Sequence, residues 1–146
     1  MPHLVLADTA AKIGSPEIWN PRIVAVLNNG IATISDAILS RWFAPGYAAT
    51  PDFQMWRMML ERTSAQDYAD VCAAIRDADY TADPARIRAK TLVVVGNDDA
   101  SPPPALVRAM AEQIVGAAFV EIADAGHLPC VEQPDRFVAL LKQHLA

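Results

Sequence analysis

The sequence predicts an α/β protein: three parallel strands with flanking helices, and a four-helix insertion between the first strand and the second. Three observations set this class. The runs Leu4-Val5-Leu6-Ala7, Thr91-Leu92-Val93-Val94-Val95 and Ala118-Phe119-Val120-Glu121-Ile122 have the length and apolar character of strands. The second is a continuous apolar run rich in β-branched residues, as expected of a parallel strand buried on both faces. Between the first and the second, helical periods with recognisable starts and stops fill the chain from Ser15 to Ala82.

Taken in order, Leu4 to Ala7 is the first strand, and Asp8-Thr9 begins its exit loop. Ser15-Pro16-Glu17 supplies an N-cap, a proline at the first helical position and an acidic first turn. The helix it starts can place Ile18, Val24 and Leu27 on one face and stops at Asn28-Asn29-Gly30. A second helix is expected from Ile31 to Phe43, closed by Pro45-Gly46, and a third from Thr50-Pro51, with a stripe of Phe53, Trp56, Met59 and Leu60. Ser64 to Asp67 reads as an acidic capping box, and Tyr68, Val71, Cys72 and Ile75 give the fourth helix its apolar face. Asp83-Pro84 caps a short return helix. After the second strand, Ser101-Pro102-Pro103-Pro104 stiffens the turn into a helix from Ala105 to Gln113. Pro134 opens the last helix, with Phe137, Leu140, Leu141 and Leu145 in period.

Two loops carry the candidate chemistry. Gly96-Asn97-Asp98-Asp99 leaves the carboxyl end of the second strand, and Ala123-Asp124-Ala125-Gly126-His127 leaves that of the third, where open α/β sheets place their sites. A histidine acting as general base needs an orienting carboxylate that fixes its tautomer and stabilises the imidazolium. Asp98 and Asp99 are the candidates, although two solvated turn acids are the ordinary reading of such a pair.

These residues, VVVGNDDASPPP followed by ADAGHLPCVEQPDRF, resemble the C-terminal part of α/β-hydrolase-fold enzymes, whose triad runs Ser, then Asp or Glu, then His. Within that superfamily LVLADTAAKIG and RWFAPGYA resemble the 3-oxoadipate enol-lactonases. The resemblance implies His127 as base and, through its Gly-x-x-Asp spacing from Gly96, Asp99 rather than Asp98 as triad acid. It also implies that residues 1–14 and 83–146 are the back half of the hydrolase core, and that residues 15–82 are a helical lid. The reaction implied is opening of 3-oxoadipate enol-lactone to 3-oxoadipate in aromatic catabolism.

No Gly-x-Ser-x-Gly elbow occurs: Ser15, Ser35, Ser40, Ser64 and Ser101 all lack its flanking glycines. The nucleophile is therefore expected from an N-terminal half outside this sequence, and this chain by itself is expected to be inactive. That half, or otherwise a second chain, is the expected partner of the Leu4 to Ala7 edge. Another lidded carboxylesterase, a carbon–carbon bond hydrolase, and a non-catalytic remnant that binds a ligand or partner remain open alternatives.

Composition narrows the partners. A chain of 146 residues, 53% hydrophobic, can bury one sizeable core. A net charge of −5 without long runs of one sign disfavours nucleic acid and leaves a small-molecule lactone or ester as the expected substrate. Cys72 and Cys130 stand in no metal or redox spacing, and no apolar stretch is long enough for a membrane span. A cytoplasmic protein with neither cofactor nor metal is expected. Trp42, and behind it Trp19, are candidate walls of the substrate pocket as well as packing residues. Arg41 is either a fork for a substrate carboxylate or an exposed charge. Met55, Met58 and Met59 read as gap-filling residues. Glu132 reads as a helix-start carboxylate and Cys130 as a small hydrophobe.

Overall fold

A computed structural model describes residues 2–146. Three parallel strands form one sheet in the order β1 (His3–Ala7), β2 (Lys90–Gly96), β3 (Ala118–Ile122). Leu4 stands opposite Thr91 and Ala7 opposite Val94, while Leu92 pairs with Ala118 and Gly96 with Ile122. The middle strand is buried from Thr91 to Gly96, which explains its unbroken apolar character.

Alternation along β2 divides its side chains between two layers. Val93 and Val95 pack with Val107, Met110 and Ala111 of helix α5 (Pro104–Ala111) and with Ile114 beyond it. Leu92 and Val94 join Ile122 and Ala125 on the other face, against Phe137 and Leu140 of helix α7 (Pro134–Leu145). Each fully buried valine contributes roughly 1.5–3 kcal/mol of transfer free energy. The sheet thus has α5 on one face and α7 on the other.

Between β1 and β2 lie four helices: α1 (Pro16–Asn29), α2 (Ser35–Trp42), α3 (Phe53–Glu61) and α4 (Ala65–Asp77). They have an apolar cluster of their own, built on Val26, Ile31, Leu39, Phe43 and Leu60. Leu128 and Val131, from beyond β3, pack against it and join the helical block to the sheet.

The structure corrects the predicted faces in several places. On α1, Trp19 and Val26 are buried with Ile23 beside the cluster, whereas Ile18, Val24 and Leu27 are exposed. The helix is apolar on more than one side, so its period alone does not choose the inward face; docking against α4 does. Met59 and Val71 likewise face outward, as does Leu145, while His144 turns in beside Lys90. The single helix expected from Ile31 to Phe43 is a 3₁₀ turn (Ile31–Thr33) followed by α2. The return helix after Asp83 is also 3₁₀ (Pro84–Arg86). Ser15 lies at the N-cap of α1 in extended conformation without a side-chain bond to a backbone N–H. The Ser64 hydroxyl does cap α4, accepting from the Asp67 N–H at 3.3 Å.

Candidate active site

The carboxyl ends of the three strands are stitched together by backbone hydrogen bonds. Asp8 N–H donates to the Val94 carbonyl, Asn97 N–H to Ile122 and Asp98 N–H to Ala125, each at 2.9 Å. The loops after β2 and β3 thus run in contact, and glycine makes this possible. A Cβ on Gly96 would collide with the backbone carbonyls of Gly126 and Ala125, and one on Gly126 would stand 2.7 Å from the Trp42 carbonyl oxygen.

This contact brings Asp99 and His127 together. His127 Nδ1 lies 2.9 Å from Asp99 Oδ2. The Asp99 side chain is fully buried, and its other oxygen accepts the Ser101 N–H at 2.6 Å. Asp98, by contrast, is exposed and lines a cavity of about 390 Å³ together with Leu39, Phe43, Ala48 and Phe53. His127 is anchored from its backbone, whose N–H donates to the Trp42 carbonyl at 2.8 Å. The imidazole is 28% exposed, and among the described residues Nε2 has no hydrogen-bond partner. Burial pulls the imidazole pKa down, but the Asp99 hydrogen bond and charge, helped by Asp8, outweigh it and leave the pKa raised.

Two further carboxylates belong to this region, and the sequence pattern by itself points to neither as part of a site. Asp8 is 7% exposed, with a backbone φ of 48°, the left-handed region that short polar residues tolerate best. Its Oδ1 accepts the Gly96 N–H at 2.9 Å. One donor atom from each of Asp8, Asp99 and His127 lies within 4.8 Å of the other two. Burial pushes the Asp8 carboxyl up to about 7, opposed by the Gly96 hydrogen bond and reinforced by the Asp99 charge. Oxygen and nitrogen donors in this grouping could take a cation, but they are already engaged with Gly96 N–H, Ser101 N–H and one another. The one signal in the sequence is a short acid directly after an apolar strand.

Glu132 is the second, on the short helix α6 (Pro129–Glu132). It accepts the Ala44 N–H at 2.8 Å through one oxygen and the Gly126 N–H at 2.7 Å through the other. It therefore ties the histidine loop to the end of α2, a role beyond the favourable helix-start charge. Burial raises its pKa, with the two backbone donors acting against that.

The remaining candidates lie farther out. Trp42 packs its ring against the apolar cluster of the helices, and it is its carbonyl that reaches His127. Trp19 is buried, donates from Nε1 to the Ile13 carbonyl at 2.8 Å and has the Arg22 guanidinium over its ring. Arg41 donates to the Ala100 carbonyl in the acid loop. Trp19 and Arg41 share a small cavity of about 130 Å³ with Pro102 and Leu106. Cys130 is exposed on α6 and Cys72 is buried on α4. Among the described residues no helix is long and apolar enough to cross a membrane.

Comparison with known proteins gives concordant matches. A model of the alpha/beta hydrolase family matches residues 2–140. The 3-oxoadipate enol-lactonase 2 of Acinetobacter baylyi is 32% identical over 137 residues, 92% of this chain and 51% of that protein. The crystal structure of an enol-lactonase from Burkholderia xenovorans LB400 superposes with a TM-score of 0.93 at 35% identity, over 99% of this chain and 56% of that one. A thermophilic esterase from Thermogutta terrifontis, solved with malate bound, superposes with a TM-score of 0.87 at 30% identity, over 98% of this chain and 55% of that one. The chain thus spans about half the length of the curated relatives it matches.

Proposed function

The chain belongs to the alpha/beta hydrolase family, and on that premise we propose that it carries the acid and base of an ester-hydrolysing triad, with Asp99 the acid and His127 the base. The observation that carries this reading is the 2.9 Å approach of His127 Nδ1 to a fully buried Asp99 oxygen at the ends of β2 and β3. With Asp99 ionised, Nδ1 holds a proton and donates to it, which leaves Nε2 as the base.

The substrate proposed is an enol-lactone, 3-oxoadipate enol-lactone in particular, in aromatic catabolism; the names of the matched enol-lactonases support it. A serine hydroxyl from a segment that this sequence does not contain attacks the lactone carbonyl as Nε2 takes its proton. Backbone N–H groups hold the oxyanion, and the ring oxygen departs with the proton from the imidazolium as an enol, which tautomerises to the ketone. His127 then deprotonates water, which cleaves the acyl–serine ester and frees 3-oxoadipate. The helices of residues 15–82 act as a lid, with Trp42 and Trp19 candidates for its pocket-facing side. We place the reaction in the cytoplasm, in keeping with two cysteines that are not paired with each other.

A carboxylesterase is the second reading, favoured by the 30%-identical esterase structure. Both are tested by joining this chain to a segment bearing the nucleophile. The joined protein is then assayed on 3-oxoadipate enol-lactone and on simple aryl esters. Lactone turnover lost in His127→Ala supports the first reading. Ester turnover alone favours the second, and neither activity in a folded joined protein overturns both.

A further inference from the structure

We propose that Asp8 is a third member of the acid–base cluster: a positioning residue whose carboxylate strengthens His127 as a base through space while its acceptor holds the Gly96 amide at the root of the acid loop. The inference rests on the reading of His127 and Asp99 as base and acid, and it adds a residue that lies 91 positions before Asp99 in the sequence.

The geometry is specific. Asp8 is buried at the end of the edge strand, on a left-handed backbone, in a position that any β-branched residue would strain. A purely structural account needs only its hydrogen bond to Gly96 N–H. That account leaves unexplained why a carboxylate, costly to bury, stands where its oxygen, an Asp99 oxygen and a His127 nitrogen fall within 4.8 Å of one another. Asparagine would satisfy the same amide, tolerate the same φ and carry no charge.

The electrostatic surroundings give the charge a use. Asp99 and Asp98 reach this region from the loop after β2, Glu132 from α6, and Arg41 from α2. Arg41 opposes protonation of His127, whereas Asp99 and Asp8 favour it. Ionised Asp8 therefore offsets Arg41 and stabilises the imidazolium that forms when His127 takes a proton. Because its own carboxyl titrates at about 7, its charge changes within the range in which the base works. An opposite charge within ~4–6 Å moves a pKa by about 1–3 pH units.

The test is an NMR titration of the ring nitrogens of His127 in the full 146-residue chain, for the wild type and Asp8→Asn. The wild type is expected to show two inflections, because Asp8 and His127 titrate as a coupled pair. Asp8→Asn is expected to leave one inflection, with its midpoint lower by roughly 1 pH unit. In the protein joined to its nucleophile segment, the acid limb of kcat/KM should move down by a similar amount. A single inflection in the wild type overturns the proposal, and does so even where Asp8→Asn fails to fold. An unchanged midpoint in Asp8→Asn overturns it too, leaving Asp8 a structural role only. Two inflections that persist in Asp8→Asn assign the coupling to another carboxylate and overturn it as well. Each of these results is independent of turnover, so the hydrolase reading stands or falls separately.

Discussion

The α-carbon of Gly96 lies so close to the carbonyl of Gly126 that no side chain of any size fits between them. Both obstructing groups, the carbonyls of Gly126 and Ala125, are backbone, so the neighbour cannot rotate aside. Gly96→Ala should destabilise the chain by about 3 kcal/mol or more, at the upper end of overpacking costs. A methyl group added at Gly46 would meet nothing within 4 Å, and φ there is a right-handed −74°, so Gly46→Ala should leave stability unchanged or raise it by up to about 1 kcal/mol. Urea unfolding of the two variants checks the contrast; equal effects would refute it.

Glu132→Ala orphans two backbone donors, the N–H groups of Ala44 and Gly126, both on buried residues. Each buried donor left without a partner costs about 1–3 kcal/mol. Glu132→Gln keeps one acceptor oxygen and should fall between Ala and the wild type in the same unfolding measurement. Should Gln prove as damaging as Ala, the negative charge matters more than the two bonds.

Stability should also record the buried acid at the end of β1. The folded-state pKa of Asp8 is raised from 3.8 to about 7, so the folded chain binds this proton more tightly than the unfolded chain. Its contribution is complete below about pH 4 and is lost as pH rises to about 7. His127, raised from 6.5, acts in the same direction at higher pH. The stability of Asp8→Asn relative to the wild type should therefore grow by a few kcal/mol between these limits. A stability difference that stays flat with pH would falsify the assignment.

In a protein that includes the nucleophile, His127→Ala should nearly abolish turnover. Asp99→Asn should lower kcat by on the order of 10⁴, the cost of a wrong histidine tautomer in a serine protease. Asp98→Asn should be mild, since Asp98 is exposed and does not meet the imidazole. A severe Asp98 variant beside a tolerant Asp99 variant would reverse the assignment.

Among the described residues β1 pairs with β2 alone, leaving its outer edge without a strand. An open apolar edge is a template for pairing. Adding the nucleophile-bearing segment should slow hydrogen exchange of the His3–Ala7 amides by at least about tenfold, corresponding to ~1.4 kcal/mol of added protection. Unaltered exchange in a mixture shown to associate would place that partner elsewhere.

The strands and both loops of the site are legible in the sequence because each strand of this sheet is short, apolar and ended by turn residues. The pairing of Asp99 with His127 matches the Gly-x-x-Asp spacing, since Gly96 fixes where the acid loop leaves the sheet. The inward face of α1 is not legible. Ile18, Val24 and Leu27 form as good an apolar set as Trp19, Ile23 and Val26, and only docking against α4 distinguishes them. Asp8 is hidden because its role depends on a register across strands distant in sequence. Glu132 is hidden for a different reason: its partners, Ala44 and Gly126, are backbone donors that no residue pattern announces.

The end of α2 is tied to the loop that follows Asp99, to His127 and to Glu132. Arg41 reaches the acid loop at Ala100, the Trp42 carbonyl holds the His127 N–H, and Ala44 N–H meets Glu132. The loops of Asp99 and His127 thus share a single datum, the stretch from Arg41 to Ala44. Because both loops bond to that one stretch, a shift of the helix end is expected to carry them in the same direction. A cut between Arg41 and Ala44 is expected to remove that shared anchor and loosen the 2.9 Å approach of Nδ1 to Oδ2.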